Sequence, residues 1–352
     1  MPFVPPRCPN GRCEQHVRPI GRFWTRAGAY WPRCRSAPVP RFRCKSCTIT
    51  FSRQTFRVDY RDRRPDCNTT LFLLLSSGVG LRQSGRLLGL DVHAVQKKMR
   101  KVAATATRLH ENLSPEVCAR TFVLDEEETF EGASIRPLTV PMVVEKSTWF
   151  VVAFSVGSIR RLAKPGTLRR ARQDAEELRH GRRRDESRKC VRDVLQALER
   201  RVKGRIELRT DEKPSYRTLA KGVFGDRIVH DTTPGTQPRT TRNRLFPINT
   251  TFAMTRDNLG RLRRRSWLVS KHREQLRAAL AIFAVYRHYV RRRFQRAHPW
   301  DPQARRLGLV RRQLQPVEAC RWRQDWGPRS PHPMSFSGAL TIADLAHPGD
   351  GR

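Results

Sequence analysis

The apolar positions of this chain fall into three regimes. Over the first sixty residues there is no sustained period, only Phe42, Phe51 and Phe56 scattered between cysteines. A helical regime follows: Leu71-Phe-Leu-Leu-Leu75 is broken at Gly78-Val-Gly80, and Leu81 to Leu88 ends at the turn Gly89-Leu90-Asp91. Val92, Val95, Met99 and Val102 then line one face of a third helix, with Asp91 as its N-cap. From residue 118 the runs shorten into strands: Phe122-Val-Leu124, Pro141-Met-Val-Val144 and Trp149 to Phe154. Val191, Val194, Leu195, Leu198 and Val202 predict a helix over 185–201, and Arg205 to Thr210 a strand. A short helix near Tyr216 to Ala220 and a strand, Arg227 to His230, complete the order strand, strand, strand, helix, strand, helix, strand. Lys164 to Arg184 has no apolar face and reads as a basic insertion. Leu276, Leu280, Ile282, Phe283, Ala284 and Val285 predict a helix packed on the sheet, and the Pro- and Gly-bearing stretch from 299 a poorly ordered tail.

Charge turns this α/β pattern toward a polyanionic partner. The 352 residues hold 71 Lys+Arg against 32 Asp+Glu, a formal charge of +39 spread over the whole chain. Nucleic acid is the usual partner, because each neutralised phosphate releases condensed counterions. A basic disordered protein is disfavoured by 38% hydrophobic residues and 7 Trp, whereas ribosome association fits the same composition. No apolar run approaches a membrane span and the N-terminus lacks a signal-peptide pattern, so an intracellular, reducing setting and no membrane partner are expected. Nine cysteines there read as metal ligands or thiols before disulfides.

Cys8 and Cys13 form one cysteine pair and Cys44-x-x-Cys47 another, so four thiolates are available to one tetrahedral Zn²⁺. Cys34 and His16 are spare candidates, the Phe residues supply a small core, and Arg41, Arg43, Lys45 and Arg53 give a basic edge. The two helices around Gly89 match a helix-turn-helix, whose second helix would offer His93, Gln96, Lys97 and Arg100 to a major groove. An ordinary helical packing unit fits the same pattern. Farther along, Arg256, Arg261, Arg263, Arg264, Arg265, Lys271, Arg273, Arg277, Arg287 and Arg291 to Arg293 interleave with Trp267, Tyr286, Tyr289 and Phe294. That is a track for DNA or, alternatively, a solvated helix face.

Against this background, Asp125-Glu-Glu-Glu128 is anomalous: four consecutive carboxylates after a buried strand, in a basic chain. Asp211 stands in the same position after the fourth strand. Two such acids on neighbouring strands can hold divalent cations for phosphodiester chemistry. Glu126 is a helper candidate, and Glu127, Glu128 and Glu131 read as local electrostatics.

From about residue 5 to 295 the chain resembles the DDE-type transposases of bacterial insertion sequences, most of all the insertion-sequence-one group. The resemblance rests on Arg41-Phe-Arg-Cys-Lys-Ser-Cys47 with Phe51-Ser52, on Val123-Leu-Asp-Glu126, on Thr210-Asp211, and on Arg261-Leu-Arg-Arg-Arg-Ser266 with Ser270-Lys271. It implies a zinc ribbon over 1–60, a helix-turn-helix over 61–117 and a ribonuclease H-like catalytic domain over 118–298 with a basic insertion at 157–184, then the tail over 299–352. It implies metal-dependent cleavage and strand transfer with Mg²⁺ or Mn²⁺ at Asp125 and Asp211. Its other implications are terminal inverted repeats and target DNA as partners, a homodimer or higher oligomer on DNA, and a cytoplasmic, nucleoid-associated place in a bacterium. Arg261, Arg264, Arg265 and Lys271 would be DNA contacts. The family's third acid falls on Asn249, a neutral oxygen donor or a helix N-cap. Asp257, eight residues on, is expected on the same helix face as an alternative third ligand. The departure at 249 leaves open a catalytically inactive, transposase-derived DNA-binding protein or repressor. A metal-dependent nuclease without strand transfer shares the chemistry.

Overall fold

A computed structural model describes residues 3–32, 37–57, 59–263, 267–292 and 302–322. The N-terminal part is a short helix, α1 (Glu14–Val17), and a three-stranded antiparallel sheet of β1 (Trp24–Tyr30), β2 (Val39–Cys44) and β3 (Thr50–Ser52). Phe23, Phe42, Phe51 and Phe56 fill its core together with Cys8, Cys13 and Cys44. A core this small supplies little hydrophobic stabilisation, and a metal held by its clustered cysteines would add to it.

The helical regime becomes α2 (Cys67–Ser76), α3 (Leu81–Leu88) and α4 (Val92–Leu113). The Asp91 carboxylate accepts the His93 backbone N–H at 2.8 Å, the N-cap the sequence predicts. Gly89 closes α3 in the left-handed region at φ +60, which favours glycine. α4 runs well past Val102, and Leu109 and Leu113 bury its second half.

The large sheet contains β4 (Thr121–Phe130), β5 (Pro137–Glu145), β6 (Val151–Phe154), β7 (Gly157–Ser158), β8 (Ile206–Asp211) and β9 (Ile228–Thr233). Its order is β6-β5-β4-β8-β9, with β7 paired to β5. β4, β5 and β6 are antiparallel neighbours, whereas β8 and β9 run parallel to β4. β4 continues six residues past Leu124, held by β5 as far as the pair Phe130↔Pro137. The acids therefore lie inside a strand and not after one.

Helices cover both faces of this sheet. α6 (Ser187–Glu199) and α7 (Pro214–Phe224) pack together, and α6 covers β5 and β6 with Val191, Val194, Leu195 and Leu198. α8 (Phe246–Asn258) lies on β4 and β5, its first turn seated by Phe246 edge-on to Trp149 at 5.7 Å. The basic insertion contains α5 (Leu168–His180), which exposes Leu168 and Leu178. Arg160–Glu177 at 2.8 Å and Arg136–Glu176 at 2.5 Å hold it in place of a core.

Three sequence expectations are corrected here. α9 (Arg273–Val285) packs its apolar face chiefly on α4 and α2, not on the sheet. The expected boundary at 117 does not divide the core, because one continuous apolar cluster runs from Leu71 through the sheet to Trp322. Of the tail expected over 299–352, residues 302–322 are packed structure: α10 (Gln303–Arg306) and α11 (Pro316–Cys320) bury Ala304, Val310, Leu314, Ala319, Cys320 and Trp322. Those apolar residues are spaced too irregularly to announce two very short helices; Leu314 joins through its N–H to the Tyr289 carbonyl at 2.8 Å.

A Cβ placed on Gly85 would meet the Leu90 carbonyl oxygen at 2.6 Å, inside the turn between α3 and α4. Gly85→Ala is therefore expected to lower stability by about 1–3 kcal/mol, the usual range for overpacking, despite alanine's better helix propensity. Urea denaturation measures it; an unchanged midpoint would show that the turn widens freely.

Candidate functional site

Two clusters of side chains converge. The first is the thiol set: Cys8, Cys13, Cys44 and Cys47 place their sulfurs within 4.8 Å of one another. Cys8 Sγ lies 3.4 Å from Cys47 Sγ, and Cys13 Sγ 3.8 Å from Cys44 Sγ. A tetrahedral Zn²⁺ with bonds near 2.3 Å requires sulfurs about 3.8 Å apart, so the donor set fits zinc. Burial pushes the Cys8 and Cys13 thiols up. At Cys47 burial also acts upward, but hydrogen bonds from the Ile49 backbone N–H and from Cys8 outweigh it and bring the thiol down to about 7. His16, the spare, turns its Nδ1 to the Cys8 carbonyl at 2.7 Å; Cys34 lies outside the described residues.

The second cluster is built on β4 and β8. Their parallel register pairs Thr121 with Glu207, Phe122 with Leu208 and Val123 with Arg209. The same register carried two places beyond its last pair brings Asp125 to the level of Asp211, whose charge it feels, on the sheet face opposite the one where Glu126 meets α7. Burial pushes the Asp125 carboxyl up to about 7, and the charges of Asp211 and Glu126 add to the rise. Arg239, exposed in the loop between β9 and α8, acts in the other direction and favours the carboxylate. Asp211 Oδ1 accepts the Lys213 backbone N–H at 3.0 Å, which orients it at the start of α7. Sequence reasoning missed Arg239, whose loop position carries no periodic signal.

Because side chains alternate along a strand, Glu126 faces the opposite way. Its oxygens accept Tyr216 Oη at 3.0 Å, Thr139 Oγ1 at 2.5 Å and Ser187 Oγ at 3.4 Å, and it is ion-paired with Lys213. Those donors satisfy Glu126, so it braces α7 against β4. The next acids are neutralised locally, as expected: Glu127 by Arg256, Glu128 by Arg161 and Glu131 by Arg183 at 3.5 Å.

Arg256 also fixes the facing of α8. It meets Glu127 on the Asp125 face of β4, and Asn249, seven residues earlier, occupies the same helical stripe two turns away. Asp257 does not share that stripe: it points about 100° round from Arg256 and is exposed, which corrects the expectation of a common face.

The candidate DNA contacts divide. His93, Lys97 and Arg100 are exposed and Gln96 is half-buried, all on the first half of α4. Gln96 and Arg100 line a groove of about 460 Å³ with His272, Glu274 and Gln275. Lys271 is exposed, and Arg264 and Arg265 lie outside the described residues. Arg261 is a correction: its guanidinium turns inward to Ser270 Oγ and Gln275 Oε1, both at 3.2 Å, and burial lowers it to about 10. Arg273 and Arg277 are also drawn inward, to Glu186 at 2.6 Å and the Val156 carbonyl at 2.5 Å. The expected track therefore loses its inner members to tertiary structure.

No protein-family model matches this chain, and no curated protein sequence matches it. Among the described residues, no helix is long and apolar enough to cross a membrane.

Two outcomes follow from the geometry. The full-length protein should carry stoichiometric zinc, and Cys44→Ser should lose it and expose 3–57 to limited proteolysis while the large core persists; zinc well below stoichiometry by elemental analysis contradicts the site. Asp125, raised to about 7 against an ordinary 3.8, keeps a proton that the unfolded chain releases first. Its contribution to stability is thus fully present below about pH 4 and lost as pH rises through about 7. Without added Mg²⁺ or Mn²⁺, Asp125→Asn should stabilise the protein at pH 8 by roughly 2–4 kcal/mol and have little effect near pH 4. Equal effects at both pH values would refute the assignment.

Proposed function

We propose that this chain is a DNA transposase that cleaves and joins phosphodiester bonds at the ends of an insertion-sequence element. The observation that carries the proposal is the placing of Asp125 and Asp211 abreast on one sheet face by the β4–β8 register, in a chain of charge +39. The strand order, three antiparallel strands with two more parallel to the first, supports a ribonuclease H-like catalytic unit. The fit to a divalent cation rests on the carboxyl pair, one member of which burial and like charge hold protonated to about 7.

Asp125 and Asp211 would hold Mg²⁺ or Mn²⁺, which supplies Lewis acidity and favours an ionised attacking oxygen. Arg239 gives the nearby phosphate a compensating positive charge. Tyr216 and Lys213, through Glu126, keep β4 and the start of α7 in fixed relation, so the two ligands do not drift apart. The exposed side chains of α4 act in a helix-turn-helix, and the zinc-held sheet adds its exposed Arg41, Arg43 and Lys45 to the same DNA. Paired ends require a dimer or higher assembly on DNA, in a bacterial cytoplasm beside the nucleoid.

The second reading, a transposase-derived repressor without catalysis, is favoured by Asn249, which brings no charge to the metal. The two part on DNA carrying the gene and its flanks, incubated with Mg²⁺ or Mn²⁺. Cleavage with joining is expected, lowered about a thousandfold or more by Asp125→Asn or Asp211→Asn, as loss of several kcal/mol of metal-derived stabilisation implies. Tight binding without cleavage under either metal would leave the repressor. Cleavage without joining would leave a nuclease.

A further inference from the structure

β9 carries a group beside Asp211 that neither the strand pattern nor the cluster of acids announces. In the parallel ladder Thr233 is the direct partner of Asp211, so its side chain emerges on the face that carries Asp211 and Asp125. Thr233 is only 2% exposed, yet its Oγ1 has no hydrogen-bond partner. A buried hydroxyl left without a partner costs about 1–3 kcal/mol, and such a group calls for an explanation. Valine would occupy almost the same volume at this position without the cost. Elsewhere around the cluster the hydroxyls are satisfied: Thr139, Ser187 and Tyr216 all donate to Glu126 on the opposite face. Hard divalent cations take neutral oxygens beside carboxylates to complete their shell.

We infer that Thr233 is the third protein oxygen of the cation site, donating through Oγ1 to a divalent cation held by Asp125 and Asp211. The inference rests on the carboxyl pair being a cation site and adds to it a ligand on β9. It also gives the site a neutral donor from the sheet itself, independent of Asn249 on α8. The hydroxyl keeps its proton on ligation, so the site's charge remains that of its carboxylates.

The test is Mn²⁺ titration of the full-length, zinc-loaded protein, followed by electron paramagnetic resonance of free Mn²⁺ and by thermal unfolding. Thr233→Val should weaken Mn²⁺ binding about tenfold or more, with melting in the absence of Mn²⁺ unchanged or raised. Thr233→Ser, which keeps the oxygen, should bind nearly as the natural chain does. Asp125→Asn should abolish the same binding event. If Thr233→Val binds Mn²⁺ as tightly as the natural chain while Asp125→Asn does not bind, the role of Thr233 is overturned and the carboxyl site stands. If Asp125→Asn and the natural chain bind alike, the cation site itself is overturned, and the inference with it.

Discussion

The pairing of β4 with an antiparallel neighbour on one side and a parallel neighbour on the other is the constraint on which the rest of this molecule depends. The antiparallel side, nine consecutive pairs with β5, keeps β4 extended through a stretch of carboxylates that would otherwise repel one another. The parallel side brings β8 in from a crossover through α6, so that Asp211, at the end of β8, comes to the level of Asp125 in the middle of β4. Antiparallel pairing there would have placed the start of β8 at this level and Asp211 at the far end of the sheet. One strand thus sets both the length over which the acids are displayed and the partner that one of them meets.

Alternation along that strand then divides the acids by role. Odd positions, Asp125 and Glu127, face α8; even position Glu126 faces α6 and α7, where hydroxyls and Lys213 satisfy it. Arginines take up the remaining charge one by one, so the cluster is neutral over most of its length and electrostatically unsettled only at Asp125. The same economy operates at the other end of the molecule. Lys98, on the buried side of α4, meets Asp62 at 2.6 Å, Asn68 Oδ1 at 3.0 Å and the Arg64 carbonyl at 2.6 Å. A buried ammonium with that many acceptors is compensated, whereas removal of Asp62 alone would strand its charge.

Much of this was legible in the residues. The strand and helix order after 118 follows from period and composition, because buried strands need β-branched runs and covering helices need a stripe. The cluster of four cysteines follows from spacing, and the Asp91 cap from local chemistry. What was hidden depends on distant neighbours. Arg261 reads as a surface cation until Ser270, Gln275 and α4 are seen to enclose it. Asp257 lies on the right helix, but only the Arg256–Glu127 contact fixes which stripe of that helix faces the sheet. Residues 302–322 read as part of a poorly ordered tail because their burial is supplied by His288, Tyr289 and the helices around them. Thr233 could not be singled out at all, since a threonine in a strand is ordinary until its partner across the ladder is known.

The Lys98–Asp62 contact has a consequence for how the two ends of the chain work together. Asp62 belongs to the short connection between the N-terminal sheet and α2, and Lys101 donates to the Tyr60 carbonyl in the same connection at 2.8 Å. The link is therefore a splint and not a tether: its conformational freedom is surrendered when the chain folds. A ligand that touches both the small sheet and the outer side of α4 meets two surfaces already set at a fixed spacing. It need not supply the ordering free energy that a flexible linker would demand at the moment of binding.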